Sequence, residues 1–312
     1  MSCINVNHLS KSYGSFKAVD DLVFSVKSGQ VFGFLGPNGA GKSTTIKLLT
    51  TLIPPSRGSL SIFGIDAVEN PLQVRYRIGV VLQQPSYEPT LSVEKALDKY
   101  GMMWNVSRVE RKKRMEQLLK DFDLVEIRKK RNEDLSIGQR RRVQVAREFM
   151  HDMDLLFLDE PTAGLDPSAR RKLLDYLKNK VKTGLTIFYT THILTEAEYL
   201  CDKIAIIDKG KIITIDSPDA LKNRFGKEKT IKIHLLEKQS KISSLLSGIP
   251  DCKIDFDTGT NIIIHSEKSE LVLLQVLKIL SNNHIEIEDL SAVPTNLEDI
   301  FLKMVRENTS NN

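Results

Sequence analysis

Eight consecutive residues, Gly36-Pro37-Asn38-Gly39-Ala40-Gly41-Lys42-Ser43, fit the pattern G-x-x-x-x-G-K-[ST]. Glycines at 36, 39 and 41 let the backbone turn tightly and aim successive N–H groups at one anion, where larger side chains would intrude. The helix predicted to follow, which includes Thr44, adds the positive end of its dipole to the same point. Lys42 can reach terminal phosphates as a point charge, and the Ser43 hydroxyl can hold Mg²⁺. An apolar strand-like run, residues 31–35, precedes the loop, which is the context the pattern requires. Residues Gly36 through Thr44 are therefore candidate contacts for the polyphosphate of a nucleotide. The loop alone does not separate a kinase from a GTPase or a motor.

A second chemical signal is a carboxylate pair. Leu155, Leu156, Phe157 and Leu158 run into Asp159 and Glu160. A buried strand that delivers Asp159 to its C-terminal end puts a carboxylate near Mg²⁺ beside the phosphate loop. Strand side chains alternate, so the neighbouring Glu160 is expected to point elsewhere, free to orient or deprotonate a water. Carboxylates at a strand end are commonly just solvated. The phosphate loop upstream favours the chemical reading.

Five more segments fall in a fixed order around these two. Lys11-Ser12-Tyr13 precedes the loop; an apolar run at 78–82 ends in Gln83; Leu135-Ser136-Ile137-Gly138-Gln139 lies among helix formers; Pro161 to Asp166 follows the carboxylates, and Thr190-Thr191-His192 ends the next apolar run. Across residues 9–216 the series resembles the ATP-binding-cassette (ABC) ATPases. The resemblance implies an ATP hydrolase with Mg²⁺ held among Ser43, Gln83 and Asp159. Tyr13 would stack on adenine, although an ordinary core aromatic would also fit that position. Gln83 would sense the nucleotide, and His192 would contact the γ-phosphate and the attacking water beside Glu160. Ser136, expected to cap a helix, would with Gly138 and Gln139 meet ATP bound to a second copy of the chain, with Asp166 communicating across a head-to-tail dimer. Ile137 replaces the commoner glycine, and a β-branched residue would be costly if φ > 0 were needed. The family's drug-resistance branch tolerates other residues there, so the resemblance implies ordinary backbone geometry and full competence.

These residues need a scaffold. Apolar runs at 31–35, 78–82, 155–159, 186–191 and 203–208 read as strands buried on both faces of a largely parallel sheet. Residues 92–151 read as an all-helical insertion, with Ser107 and Glu110 as a capping box. After residue 225 the pattern becomes β-α-β-β-α-β: strands at 229–236, 253–257, 261–266 and 285–290, with a hairpin turn at Thr258-Gly259 and a helix at 271–280. Pro294 is expected to open a last helix carrying Glu298 and Asp299 in its first turn. The resulting expectation is α/β: a P-loop ABC cassette with a largely parallel core, an antiparallel β part and a helical insertion, plus a small α+β domain of ferredoxin-like type. The boundaries read as 1–225 for the cassette (helical part about 86–150), 228–307 for the accessory domain and 308–312 for a frayed tail.

Composition narrows the partners. Net charge is only +5 and aromatics only 6%, which disfavours a nucleic-acid surface. The basic clusters 128–131 and 140–142 read as solvated helix faces, with a docking patch for an acidic partner as the alternative. Three scattered cysteines suit a reducing cytosol. No signal-peptide pattern opens the chain, and no apolar run reaches the roughly 18 residues of a membrane span. Any membrane part would thus be another chain.

The closing segment Pro294 to Leu302 resembles that of daunorubicin-resistance-type exporter ATPases, as do Gly164-Leu165-Asp166 and the arginines after Gln139. That branch implies multidrug export through a separate permease, with this chain peripheral on the cytoplasmic face of the cell membrane. DNA-repair relatives would carry a coiled coil where only about 95 residues without heptads lie between loop and Ser136. Ribosome-associated relatives normally have two cassettes. An importer ATPase, or a non-transport regulatory ATPase, is the remaining alternative.

Overall fold

The computed structural model describes residues 2–84, 86–225, 229–239, 241–257, 260–294 and 300–301. Two compact units divide the chain, residues 1–216 and 217–312, so the helix Pro218–Phe225 goes with the second.

The first unit is built on a six-stranded sheet. Its order is Lys211–Asp216, Lys203–Asp208, Val31–Leu35, Thr186–Thr191, Leu155–Asp159, Ile78–Val81. All neighbours are parallel except the edge strand Lys211–Asp216. Val31–Leu35, Leu155–Asp159 and Thr186–Thr191 are buried at every residue, as continuous apolar runs in a doubly covered parallel sheet should be. The loops that follow these three strands carry the phosphate loop, the carboxylates and His192. That is the crevice beyond the carboxyl ends of parallel strands where open α/β sheets place their sites.

A four-stranded antiparallel sheet, Phe16–Lys27, Ser2–Tyr13, Arg57–Ile62 and Ile65–Asp66, packs on the first through a shared core. Phe24 from this sheet stacks on Phe32, ring centres 5.5 Å apart, and Phe188 lies 5.8 Å from Phe32. The helical segment contains Val93–Met103, Arg108–Asp121, Ile137–Glu148 and a single 3₁₀ turn, Asn132–Asp134. Only half of the capping box expected at Ser107 forms. Its hydroxyl accepts the Glu110 N–H at 3.3 Å, but the Glu110 carboxylate turns to Arg114 at 2.9 Å. Residues 128–131 are largely solvated but not on a helix. They form a turn and a bend, with Arg131 bridged to Ser92, and Arg128 pairs with Glu94 and Glu116, each at 2.8 Å.

In the second unit four antiparallel strands lie in the order Lys253–Asp257, Asn261–Ser266, Lys229–Leu235, Ile287–Pro294. With helices Ile242–Leu246 and Ser269–Asn282 this is the ferredoxin-like arrangement, its core running from Ile231 and Ile264 to Val276 and Leu280. The last strand ends four residues later than periodicity could tell: Pro294 pairs with Lys229 instead of opening a helix. The Thr258-Gly259 turn, the first helical turn with Glu298 and Asp299, and the tail lie outside the described residues. Among the described residues no helix is long and apolar enough to cross a membrane.

Candidate active site

The loop from Gly36 to Gly41 owes its shape to three differently constrained glycines. Gly39 has φ +81° with open space around it, so its requirement is conformational. Gly36 needs no left-handed φ. A Cβ there would sit 2.3 Å from the Ile207 carbonyl oxygen, so its requirement is close packing on the neighbouring strand. Gly41 combines both, with φ +105° and a Cβ position 2.4 Å from the Ala18 carbonyl oxygen. The helix Lys42–Leu49 begins directly after it and also holds Ser43 and Thr44. Lys42 is buried and donates to the carbonyls of Gly36 at 2.8 Å and Pro37 at 3.1 Å. Burial pushes its pKa down, and the carboxylates of Glu160 and Asp159 pull it back only in part. These donors could pass from loop carbonyls to phosphate oxygens.

Glu160 is where the other residues converge. Its Oε2 accepts the Gln83 amide N–H at 3.1 Å; its Oε1 lies 3.2 Å from His192 Nδ1 and 3.7 Å from Lys42 Nζ. The strand stops at Asp159, and Glu160 adopts φ +48°. The side chain is therefore aimed by a left-handed turn past the strand end, and not by the alternation of side chains within the strand. A non-glycine residue in this region costs on the order of 1–3 kcal/mol, and such strain clusters at functional sites. Its N–H, shared between the carbonyl and hydroxyl of Thr190 at 3.1 and 3.2 Å, holds the turn.

Asp159 is also buried, and one oxygen accepts the Thr190 hydroxyl at 2.6 Å. Among the described residues no cluster of three or more His, Cys, Asp or Glu is arranged for a metal. Mg²⁺ in nucleotide sites asks for less from the protein, usually one or two carboxylates with waters and phosphates. The hard oxygens of Asp159, Ser43 and the Gln83 amide form a donor set of that kind.

Ser136 caps the helix Ile137–Glu148 in a complete capping box: its hydroxyl accepts the Gln139 N–H at 3.2 Å and the Gln139 amide oxygen accepts the Ser136 N–H at 3.0 Å. Gln139 thus has a local role the sequence reading did not assign. Ile137 is helical, exposed and free of positive φ, as expected. A Cβ on Gly138 would lie 2.7 Å from the Gly164 carbonyl oxygen, so Gly138 permits close packing of this helix end on the Pro161–Asp166 turn. Asp166 caps the next helix, Pro167–Lys182; its carboxylate accepts the Ala169 N–H at 3.0 Å, which lowers its pKa.

The structure brings Lys42, Gln83, Asp159, Glu160 and His192 together. Tyr13 stands outside this network at the end of its strand, 50% exposed, with Lys11 Nζ 5.5 Å over the ring, so it is not a core aromatic. Thr190 was missed as a partner of Asp159, although a fully buried threonine in an apolar strand is the available signal. The cluster 140–142 is also corrected. Arg141 is only 6% exposed, and it hydrogen-bonds inside the protein instead of lying on a solvated face.

The sequence profile of the family described as ABC transporter matches residues 19–163, and a second, an AAA domain of putative AbiEii toxin type, matches residues 131–197. The chain is 32% identical to the linearmycin resistance ATP-binding protein LnrL of Bacillus subtilis, over 96% of this chain and 97% of that protein. It is 34% identical to the daunorubicin/doxorubicin resistance ATP-binding protein DrrA of Streptomyces peucetius, over 96% and 92%. Among solved structures it resembles the ATP-binding subunit of an ABC transporter, with TM-score 0.67, 31% identity and coverage of 72% of this chain and 93% of that one. A dimeric ATP-binding cassette in a post-hydrolysis state with ADP and Pi gives TM-score 0.64 at 25% identity, covering 69% and 98%.

Proposed function

The chain belongs to the ABC transporter ATP-binding proteins of the drug-resistance exporter type, and on that footing we propose how its residues divide the reaction. It binds and hydrolyses ATP as a transporter subunit. Gly36 to Gly41, Lys42, Ser43 and Thr44 hold the phosphates, and Tyr13 stacks against adenine. Ser43, Gln83 and Asp159 would hold the Mg²⁺ that accompanies the nucleotide, which would supply charge neutralisation at the terminal phosphates. Glu160 accepts a proton from the water that attacks the γ-phosphorus, His192 and Gln83 fix that carboxylate and the water, and ADP leaves in line. The protein's part is mostly positioning and electrostatic stabilisation.

Ser136, Gly138 and Gln139 complete the site of a second copy in a head-to-tail dimer, with Asp166 at the seam. The compact unit of residues 1–216 acts as the cassette, and the unit of residues 217–312 as an accessory domain. A separate membrane permease holds the dimer at the cytoplasmic face and carries a hydrophobic, drug-like cargo, a reading supported by the names of the drug-resistance relatives.

The observation that supports this best is the convergence of Gln83, His192 and Lys42 on the Glu160 carboxylate. Glu160→Gln keeps shape but removes the base. Turnover should fall by about a hundredfold or more, while ATP binding persists and size-exclusion chromatography shows an ATP-dependent dimer. Turnover near that of the parent would overturn the assignment of the base.

A further inference from the structure

The helix that starts at Ser136 is amphipathic in an unusual sense: part of its buried face is polar. Arg141, Gln144 and Glu148 recur at helical spacing and are 6%, 3% and 1% exposed. They face the edge of the six-stranded sheet, where among the described residues Ile78–Val81 has no further strand to pair with. Glu148 accepts the Val80 N–H at 3.2 Å and the Tyr100 hydroxyl at 2.7 Å. Arg141 donates to the carbonyls of Leu82 at 2.9 Å and Gln83 at 2.6 Å, and to the Gln144 amide oxygen at 2.9 Å. Gln144 donates to the carbonyls of Leu82 at 3.2 Å and Gln84 at 3.4 Å. One turn further along, Arg147 donates to the Ser86 hydroxyl at 2.5 Å. The backbone on both sides of Gln83 is thus held by one helix.

A buried polar stripe is costly unless every member is satisfied. Each member of this one bonds to backbone of the segment from Val80 to Gln84, with the Tyr100 hydroxyl and the Arg141–Gln144 pair completing the set. Apolar residues would pack the same face without fixing register along the sheet edge. All three partners of Arg141 are neutral oxygens. The nearby charges opposing the effect of its burial are Asp159 and Glu160.

We propose that Arg141 is a positioning residue for hydrolysis: it sets the Gln83 backbone so that the amide meets Glu160, and it ties that contact to the helix that presents Ser136. Displacement of Gln83 by nucleotide in one site is then carried along a rigid helix to the end offered to the partner copy's site. The inference rests on the reading of Gln83 and Glu160 given above.

The test is a double-mutant cycle on ATP hydrolysis by the full chain, using Arg141→Met, Gln83→Ala and the pair, with thermal unfolding in parallel. Arg141→Met should lower kcat by about tenfold, the size of one lost charge-assisted hydrogen bond, and move KM by less than about threefold. In the Gln83→Ala background the same change should cost less than about twofold, because coupled residues are non-additive. Arg141→Lys should recover part of kcat, since an ammonium can still donate to both carbonyls. Additive losses, or unchanged kcat with only a lowered melting temperature, would overturn the proposal. If Arg141→Met does not fold, Gln144→Leu takes its place in the cycle, with the same outcomes. Full turnover in Gln83→Ala alone would sink the reading of Gln83 itself, a result distinct from additivity.

Discussion

Replacing Lys42 by methionine should separate the stability of the free protein from its response to ATP. In the nucleotide-free chain the ammonium is buried, donates to Gly36 and Pro37 carbonyls, and lies 3.7 Å from Glu160. Its lowered pKa means that burial disfavours the charge by more than Glu160 and Asp159 favour it. Removing the charge therefore takes away an unfavourable contribution, and methionine keeps the packing of the stem. Binding is affected in the opposite direction. A charge-assisted hydrogen bond to phosphate contributes about 1.5–3 kcal/mol, but the parent must first release two carbonyl contacts. The net loss is then about 1.4 kcal/mol, tenfold in Kd. At ATP a hundred times the parent's Kd, ligand stabilisation is about 2.7 kcal/mol for the parent and about 1.4 for the variant. That difference is about 2–4 °C in the ATP-induced shift of Tm. Differential scanning calorimetry with and without MgATP reads both quantities. The expected outcome is an unchanged or slightly raised Tm without ATP and roughly half the ATP-induced shift. A Tm depressed by about 5 °C or more without ATP, with the shift intact, would refute the reasoning.

Two further outcomes test other parts of the site unit. Gly138→Ala gains about 1 kcal/mol of helix propensity, but its Cβ would meet the Gly164 carbonyl at 2.7 Å and overpacking costs about 1–3 kcal/mol. Backbone cannot step aside cheaply, so net destabilisation in urea titration and reduced ATP hydrolysis are expected; a stabilised, fully active variant would contradict the packing argument. His151 is buried against Trp104, ring centres 4.0 Å apart, and burial pushes its pKa down to about 4. Between about pH 6.5 and 4 the unfolded chain binds the proton and the folded chain does not, so stability falls as pH falls through that window. His151→Phe should flatten that part of the stability–pH curve, and an unchanged curve would show that another group carries it.

The parallel sheet was legible because its strands are unbroken apolar runs, a pattern that buried strands impose and surface helices do not. The phosphate loop was legible for a different reason: its pattern encodes both a backbone shape and a charge. The direction of Glu160 was not. Alternation is a rule for residues inside a strand, and the strand ends at Asp159; the left-handed turn that aims Glu160 depends on Thr190, a contact across the sheet. Arg141 was hidden for a related reason. An arginine between two others reads as solvent-facing, and only the free carbonyls at the sheet edge make its burial favourable. Pro294 looked like a helix start because proline suits a first turn. It also suits the end of an edge strand, where its missing N–H breaks no ladder, and tertiary pairing decided between the two.

These three corrections share a cause with the site's chemistry. Lys42, Gln83, Asp159, Glu160 and His192 come from four segments far apart in sequence, and none of them contacts another through local geometry. Each sits at or just past the carboxyl end of a strand, or at the start of the helix that follows one. Adjacent strands lie about 4.8 Å apart, so groups on neighbouring strand ends fall within one phosphate's reach without any loop having to be long. The price is that no segment alone fixes the height of its side chain above the sheet. That height is set by backbone contacts across strands: the Glu160 N–H on Thr190, the Gln83 carbonyl on Arg141, the Gly36 backbone on Ile207. A change at Thr190, Arg141 or Ile207, none of which is a phosphate contact in the proposed site, should therefore move hydrolysis more than binding. Binding draws on the loop's own amides, whereas hydrolysis needs the heights of several strands to agree.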